Sequence, residues 1–249
     1  MPLVFAWIGL ISGWLAGYVV NYICDVMPMT RRLSPILCLN CGQTVSVVDY
    51  TLLKRCKNCH RPLNRRNWII QVVFGLIGIG LWLHPPGGLG YWLGLALLIY
   101  LGSILIMDLE YRVVLNQMAV VGFVISMGIG IILHGFLKTI IGGIAGFGIM
   151  LAIYYLGAFY ARWMARRRGE TFDDEAMGYG DVNLSGIIGL LLGWPGIVLG
   201  LVLAILLGGL VSLIILIILV LTHRYKTFAS IPYAPFLVIG TVLLLFILK

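Results

Sequence analysis

Two aspartates sit where carboxylates are costly. Asp181 closes the run Gly178-Tyr179-Gly180-Asp181 and leads into the apolar stretch Val182 to Trp194, and Asp108 ends the apolar stretch Trp92 to Met107. A carboxylate at the edge of a hydrocarbon-crossing segment is expensive enough that a functional site is the first explanation to test. Two of them sharing one site point to acid–base hydrolysis, in which an ionised carboxylate takes a proton from water while a protonated partner polarises the scissile carbonyl. Such a pair titrates as a unit, so the sequence assigns neither member to the base role. Gly178 and Gly180 are expected to form an active-site turn, permitting positive φ and letting an extended peptide approach the main chain closely.

Cys38, Cys41, Cys56 and Cys59 form a second chemical group, two C-x-x-C knuckles separated by residues 42–55. Each knuckle can present two thiolates to one tetrahedral ion, and a loop this small cannot hold a fold by burial alone. Zinc is the leading reading, an iron site of the same four ligands is the alternative, and disulfides are disfavoured on a reducing side. Four thiolates close the coordination sphere, which makes the metal structural and not hydrolytic. Cys24 reads as packing and His60 as a solvated loop residue.

The elements that must position these groups are apolar. With 61% hydrophobic residues, 10% charged residues and a mean hydropathy of +1.05, the chain is expected to be an all-α polytopic membrane protein. Apolar segments lie at about 2–24, 68–83, 90–107, 113–134, 139–161, 182–194, 196–221 and 232–248, predicting eight spans. The first segment lacks a basic leading region and a small-residue cleavage site, so it reads as a mature helix. Lys and Arg gather in 25–67, 109–112, 162–181 and 222–231, and only Lys138 and Lys249 fall elsewhere. By the positive-inside rule those four stretches face the cytoplasm. The formal charge of +8 then follows from topology and an anionic lipid surface, with no nucleic-acid partner required.

The run Val182 to Trp194 is about 20 Å of helix, shorter than the ~30 Å hydrocarbon core, so Asp181 is expected below the cytoplasmic surface in a water-filled cavity. Gly142, Gly143, Gly146 and Gly148 have the small-residue spacing of close helix packing. The seven tryptophans read as interfacial anchors. Glu170, Asp173, Asp174 and Glu175 read as a solvated face, with steering of a basic peptide as the functional alternative.

Taken together, these residues resemble the bacterial prepilin peptidases, polytopic aspartyl proteases of the GxGD type. The resemblance rests on Gly17, Asn21 and Pro28, the four-cysteine loop, Asp108-Leu109, Met177 to Val182, and Ile231-Pro232-Tyr233-Ala234-Pro235-Phe236-Leu237, where the family pattern reads Ile-Pro-Phe-Gly-Pro-Phe-Leu. It implies a division into 1–83, a membrane region holding the cysteine loop (25–67) and a methyltransferase part, and 84–249, a membrane-embedded aspartyl peptidase core. It implies Asp108 and Asp181 as the catalytic pair, a bacterial inner-membrane location with the active site facing the cytoplasm, and type IV prepilins or pseudopilins as substrates. These would lose a short basic leader after a glycine. It further implies S-adenosylmethionine for N-methylation of the new terminus. Val26 and Gln71 stand where the family carries arginine and glutamate in the part linked to methylation, and Leu115, Asn116 and Asn183 are further departures. The competing classes are a proton-coupled transporter using the two aspartates and a noncatalytic scaffold in pilus assembly.

Overall fold

The computed structural model describes residues 6–38, 41–52, 54–60, 65–113, 115–168, 178–222 and 233–247. The acidic run Glu170 to Glu175, Met177 and the Ile231-Pro232 pair lie outside them. Every regular element among the described residues is helical, apart from an isolated bridge between Leu37 and Thr44. Six helices are long and apolar enough to cross a membrane: α1 (Ala6–Thr30), α3 (Arg65–Leu83), α4 (Gly90–Tyr111), α5 (Asn116–His134), α6 (Phe136–Arg168) and α8 (Gly196–Leu221). Two shorter apolar helices join them, α7 (Tyr179–Leu192) and α9 (Ala234–Val242), the latter continued by a π-helical turn, Leu243–Ile247. The eight apolar segments are therefore eight helices, and the protein is an all-α, multi-pass membrane protein. A short α2 (Val47–Thr51) lies in the cysteine loop.

The chain divides into two compact units, Met1–Met107 and Asp108–Lys249. In the first, α1 and α3 pack through glycine. A Cβ on Gly13 would fall 2.3 Å from the Phe74 carbonyl oxygen and one on Gly78 would fall 2.2 Å from that of Gly9. Backbones this close gain dispersion contacts that lipid cannot offer, the general reason for small residues at membrane helix interfaces. The sequence reading ended the first segment near residue 24, whereas α1 continues through Pro28 to Thr30. That extension keeps Asp25 helical and brings it onto Arg66 at the start of α3, where the two form an ion pair. The Tyr50 hydroxyl also donates to Asp25, and the Asn67 amide donates to Asp25 Oδ2 (3.2 Å) and to the Tyr50 hydroxyl (3.0 Å). Burial, then the neighbouring Asp25 charge, push the Tyr50 phenol far above its usual range.

In the second unit α7 is the central helix, packed against α5, α6, α8 and α9. Ten of its fourteen residues are buried, which is why it can be short: protein, not lipid, surrounds it. Gly142, Gly143 and Gly146 of α6 form the seam, and a Cβ at Gly142 would lie 2.4 Å from the Gly189 carbonyl oxygen. Ser185 reinforces the seam by donating to the Gly146 carbonyl at 3.0 Å. Gly148 faces open space. α6 overruns the expected 139–161 at both ends. Its 33 residues span about 50 Å, so its last turns extend past a ~30 Å hydrocarbon core, with the Arg167 guanidinium 3.9 Å above the Trp163 ring. Trp7, Trp68, Trp92, Trp163 and Trp194 are exposed as anchors would be. Trp14 is turned inward instead and donates to the Thr51 carbonyl at 3.2 Å.

The α6–α7 seam predicts a contrast between two glycines of one helix. Gly142→Ala should destabilise the protein by about 1–3 kcal/mol through overpacking, while Gly148→Ala should be neutral. Melting temperatures in detergent check this, and equal losses in both variants would exclude the packing account.

Candidate active site

Asp108 lies in the last turn of α4, and the helix ends just beyond it: Arg112 adopts φ 53° and its N–H donates to the Asp108 carbonyl at 3.0 Å. Asp181 lies in the first turn of α7, its N–H bonded to the Gly178 carbonyl at 3.1 Å. The positive-φ turn expected of Gly178 and Gly180 does not form. Gly178 is the extended N-cap of α7 (φ −72°, ψ 137°), and Gly180 is already helical. What Gly178 does supply is access, since among the described residues a Cβ there would meet nothing closer than 4.0 Å. Tyr179 between them is half exposed and sets its ring edge-on to Tyr154 of α6, centroids 6.1 Å apart.

The two carboxylates come together. Asp108 is 5% exposed and Asp181 8%, and the charge of the first is felt at the second. Both face the same backbone donor, the N–H of Ala234. Ala234 is the first residue of α9, and Pro235 follows it in the first turn. The opening N–H groups of a helix have no partners within it and carry its positive dipole end, which suits them to anions. Arg112 is also within electrostatic reach of Asp108, and Asp108 Oδ2 has no hydrogen-bond partner among the described residues. The Ala234 N–H was not anticipated from the sequence. A proline in a first helical turn was the available signal, marking where free N–H groups must lie.

The four loop cysteines also come together, and none of the five cysteines is in a disulfide. Their sulfurs lie within 4.8 Å of one another, with Cys38–Cys59 at 3.6 Å and Cys41–Cys56 at 3.7 Å. Tetrahedral zinc with bonds of about 2.3 Å requires sulfur separations of about 3.8 Å, so the cluster could hold zinc. The knuckles match in backbone: Gly42 and His60, each following the second cysteine of its pair, have φ 69° and 53°. His60 is an exposed loop residue, as expected, and takes a left-handed conformation there. Backbone N–H groups of Cys59 and Asn58 draw the Cys56 thiol down to about 6. Cys41, despite the Gln43 N–H that favours its thiolate, is pushed up to about 11 by desolvation and the other three thiols. The Cys56 thiolate forms readily while that of Cys41 resists, a conflict that a divalent cation at the centre removes.

Residues 95–213 match the type IV leader peptidase family. The chain carries a type IV leader peptidase domain. The matched stretch contains both Asp108 and Asp181. Similar curated proteins include the prepilin leader peptidase/N-methyltransferase of Aeromonas hydrophila, 24% identical over 227 residues that make up 87% of this chain and 72% of that protein. Another, of the same name, is from Aeromonas salmonicida strain A449, 24% identical over 203 residues, 80% of this chain and 64% of the relative. No solved structure matches the chain. The peptidase match begins after the cysteine loop and ends before α9.

For the cysteine cluster, metal analysis of the purified protein should find one zinc per chain. That zinc should be lost on acidification, as protons compete with the metal for the thiolates, and on Cys56→Ser. Full metal retention at pH 4 or in Cys56→Ser would rule out the four-thiolate site.

Proposed function

We propose that the protein is a membrane aspartyl endopeptidase of the inner membrane that removes the short basic leader of type IV prepilins or pseudopilins after a glycine, using Asp108 and Asp181. The observation that carries this reading is the meeting of two buried carboxylates at one backbone donor, in a chain with a type IV leader peptidase domain. A cytoplasmic active site is supported by charge: Arg112 follows Asp108, and Arg162, Arg166 and Arg167 precede Asp181. Pilin leaders are basic, so the acidic residues 170–175 beside Asp181 in sequence suit them.

In this reading the dyad shares one proton. The ionised aspartate deprotonates the attacking water and the protonated one hydrogen-bonds the carbonyl oxygen. Enclosure of α7 by protein excludes bulk water and strengthens each of these contacts. The open backbone at Gly178 gives an extended substrate a place to lie against the main chain. The four-cysteine cluster holds a structural zinc and takes no part in hydrolysis. Zinc would instead bind the two knuckles to one another, which the loop's few apolar side chains do not do.

Methylation of the new N-terminus is a separate matter, since the positions tied to it fit S-adenosylmethionine poorly. Val26 is buried against Ile36 and Tyr50. Gln71 is fully buried, with its amide donating to the Thr51 carbonyl at 3.1 Å. Neither brings a charge that could face a sulfonium, and Asp25 is engaged by Arg66, Tyr50 and Asn67. No step of the proposed hydrolysis uses that cofactor.

Co-expression with a type IV prepilin, followed by intact mass measurement of the pilin, tests the reading. The wild type should shorten the pilin by its leader. Asp108→Asn and Asp181→Asn should each slow cleavage about a thousandfold or more while zinc content and melting temperature hold. Cleavage by either variant at the wild-type rate would end the dyad assignment. The pH–rate profile should be bell-shaped, because only the singly protonated pair is active. An added methyl group in the same spectrum would establish the second activity.

A further inference from the structure

Tyr233, the N-cap of α9, directly precedes Ala234, lies within electrostatic reach of Asp181, and has no part in the hydrolysis described above. Its hydroxyl is shielded from solvent and has no hydrogen-bond partner among the described residues. The ring is nonetheless held, 6.4 Å from the Phe236 ring between centroids and over Gly208, where a Cβ would come within 3.6 Å of it. The phenol is within electrostatic reach of Asp181 without being hydrogen-bonded to it. On the other carboxylate, Asp108 Oδ2 is likewise buried and unpartnered. Leaving a buried hydroxyl unbonded costs about 1–3 kcal/mol, whereas phenylalanine would fill the same space without that cost. A fixed donor beside two carboxylates is suited to a group that arrives with the substrate.

We propose that Tyr233 is a further catalytic residue, whose hydroxyl donates a hydrogen bond to the carbonyl oxygen of the scissile peptide bond. This rests on the peptidase reading. In the first step the water oxygen bonds to the carbonyl carbon, the ionised aspartate takes a water proton, and the carbonyl oxygen takes the proton of the other aspartate, giving a gem-diol. In the second step the C–N bond breaks. The nitrogen leaves with the proton held by the first aspartate, and one diol hydroxyl returns its proton to the second. The products are a carboxylic acid and an amine, and the dyad returns to its starting state. A carbonyl oxygen has two lone pairs. The protonated aspartate occupies one, and Tyr233 stabilises the charge that grows on the other while keeping its own proton. The neighbouring Ala234 N–H holds the carboxylates, so consecutive residues of one helix start serve both partners of the reaction.

The test uses the full chain in nanodiscs with a prepilin substrate, comparing wild type with Tyr233→Phe, which removes one oxygen. The expected result is a fall in kcat of about ten- to hundredfold, with KM and both limbs of the pH profile preserved. Affinity for a peptide with a hydroxyl-bearing tetrahedral isostere at the cleavage position should fall by a similar factor, while affinity for the uncleaved leader peptide holds. This second readout is a ratio within one preparation, so partial loss of folded enzyme does not imitate it. An unchanged kcat in an active background, or a change in KM alone, overturns the role of Tyr233 and leaves the peptidase intact. A folded, metal-loaded wild type that leaves the prepilin uncut overturns the peptidase reading and this proposal with it.

Discussion

Two carboxylates buried at one backbone amide are the constraint around which the second unit is built. A charge removed from water costs several kcal/mol unless hydrogen bonds and nearby charge replace its hydration. Asp108 and Asp181 obtain that replacement from the start of α9, so α9 must begin at their depth. α7 must in turn carry Asp181 inward, which its short length and enclosure achieve. Enclosure requires that α5, α6 and α8 approach α7 closely. Gly130 of α5, Gly142 and Gly146 of α6 and Gly189 of α7 itself lie where a methyl group would strike a neighbouring backbone. These four glycines are thus a consequence of where the second unit holds its charges.

The first unit solves a different problem with polar groups. Its cysteine loop has only a small apolar core of Val26, Ile36 and Tyr50, with Tyr18, Tyr22 and Val45 packed on it. The network of Asp25, Arg66, Asn67 and Tyr50 ties this core to the ends of α1 and α3, and Trp14 and Gln71 both donate to the Thr51 carbonyl at the end of α2. Backbone hydrogen bonds set each knuckle, from the Gly42 N–H to the Cys38 carbonyl and from the His60 N–H to that of Cys56, at 2.8 and 2.9 Å. The sulfurs are therefore brought to within a metal's bonding distance by the chain itself, and the ion's contribution would be to hold the two knuckles together.

Long apolar runs were readable in the sequence because hydrocarbon selects them by length and composition, and each became a helix. The cysteine cluster was readable for a similar reason, as paired thiols at fixed spacing have few other uses. The aspartates stood out because carboxylates are rare in apolar surroundings. Helix ends were less legible: α1 passes through Pro28, which forfeits one main-chain hydrogen bond in its last turn, and α6 runs to Arg168, since arginine does not oppose a helix once an aqueous face is available. Gly178 misled for a further reason. A glycine can mark left-handed backbone or simply open space, and the sequence is the same for both. Asp25 was hidden in the basic loop, and only its pairing with Arg66 gives it meaning.

The Ala234 contact illustrates the limit of side-chain reasoning more sharply, because the group that matters there belongs to the main chain. An amide N–H does not titrate, so the protonation of the pair depends on the two carboxylates and on whatever charged groups approach them. It is also positioned by the start of a helix and by Pro235, not by a rotamer, so little reorganisation is needed when charge shifts from one carboxylate to the other. Replacement of Ala234 by any residue except proline would leave the donor in place. A scan of side chains would therefore pass over the position that both aspartates share, and would register only the substitutions too large for its fully buried surroundings.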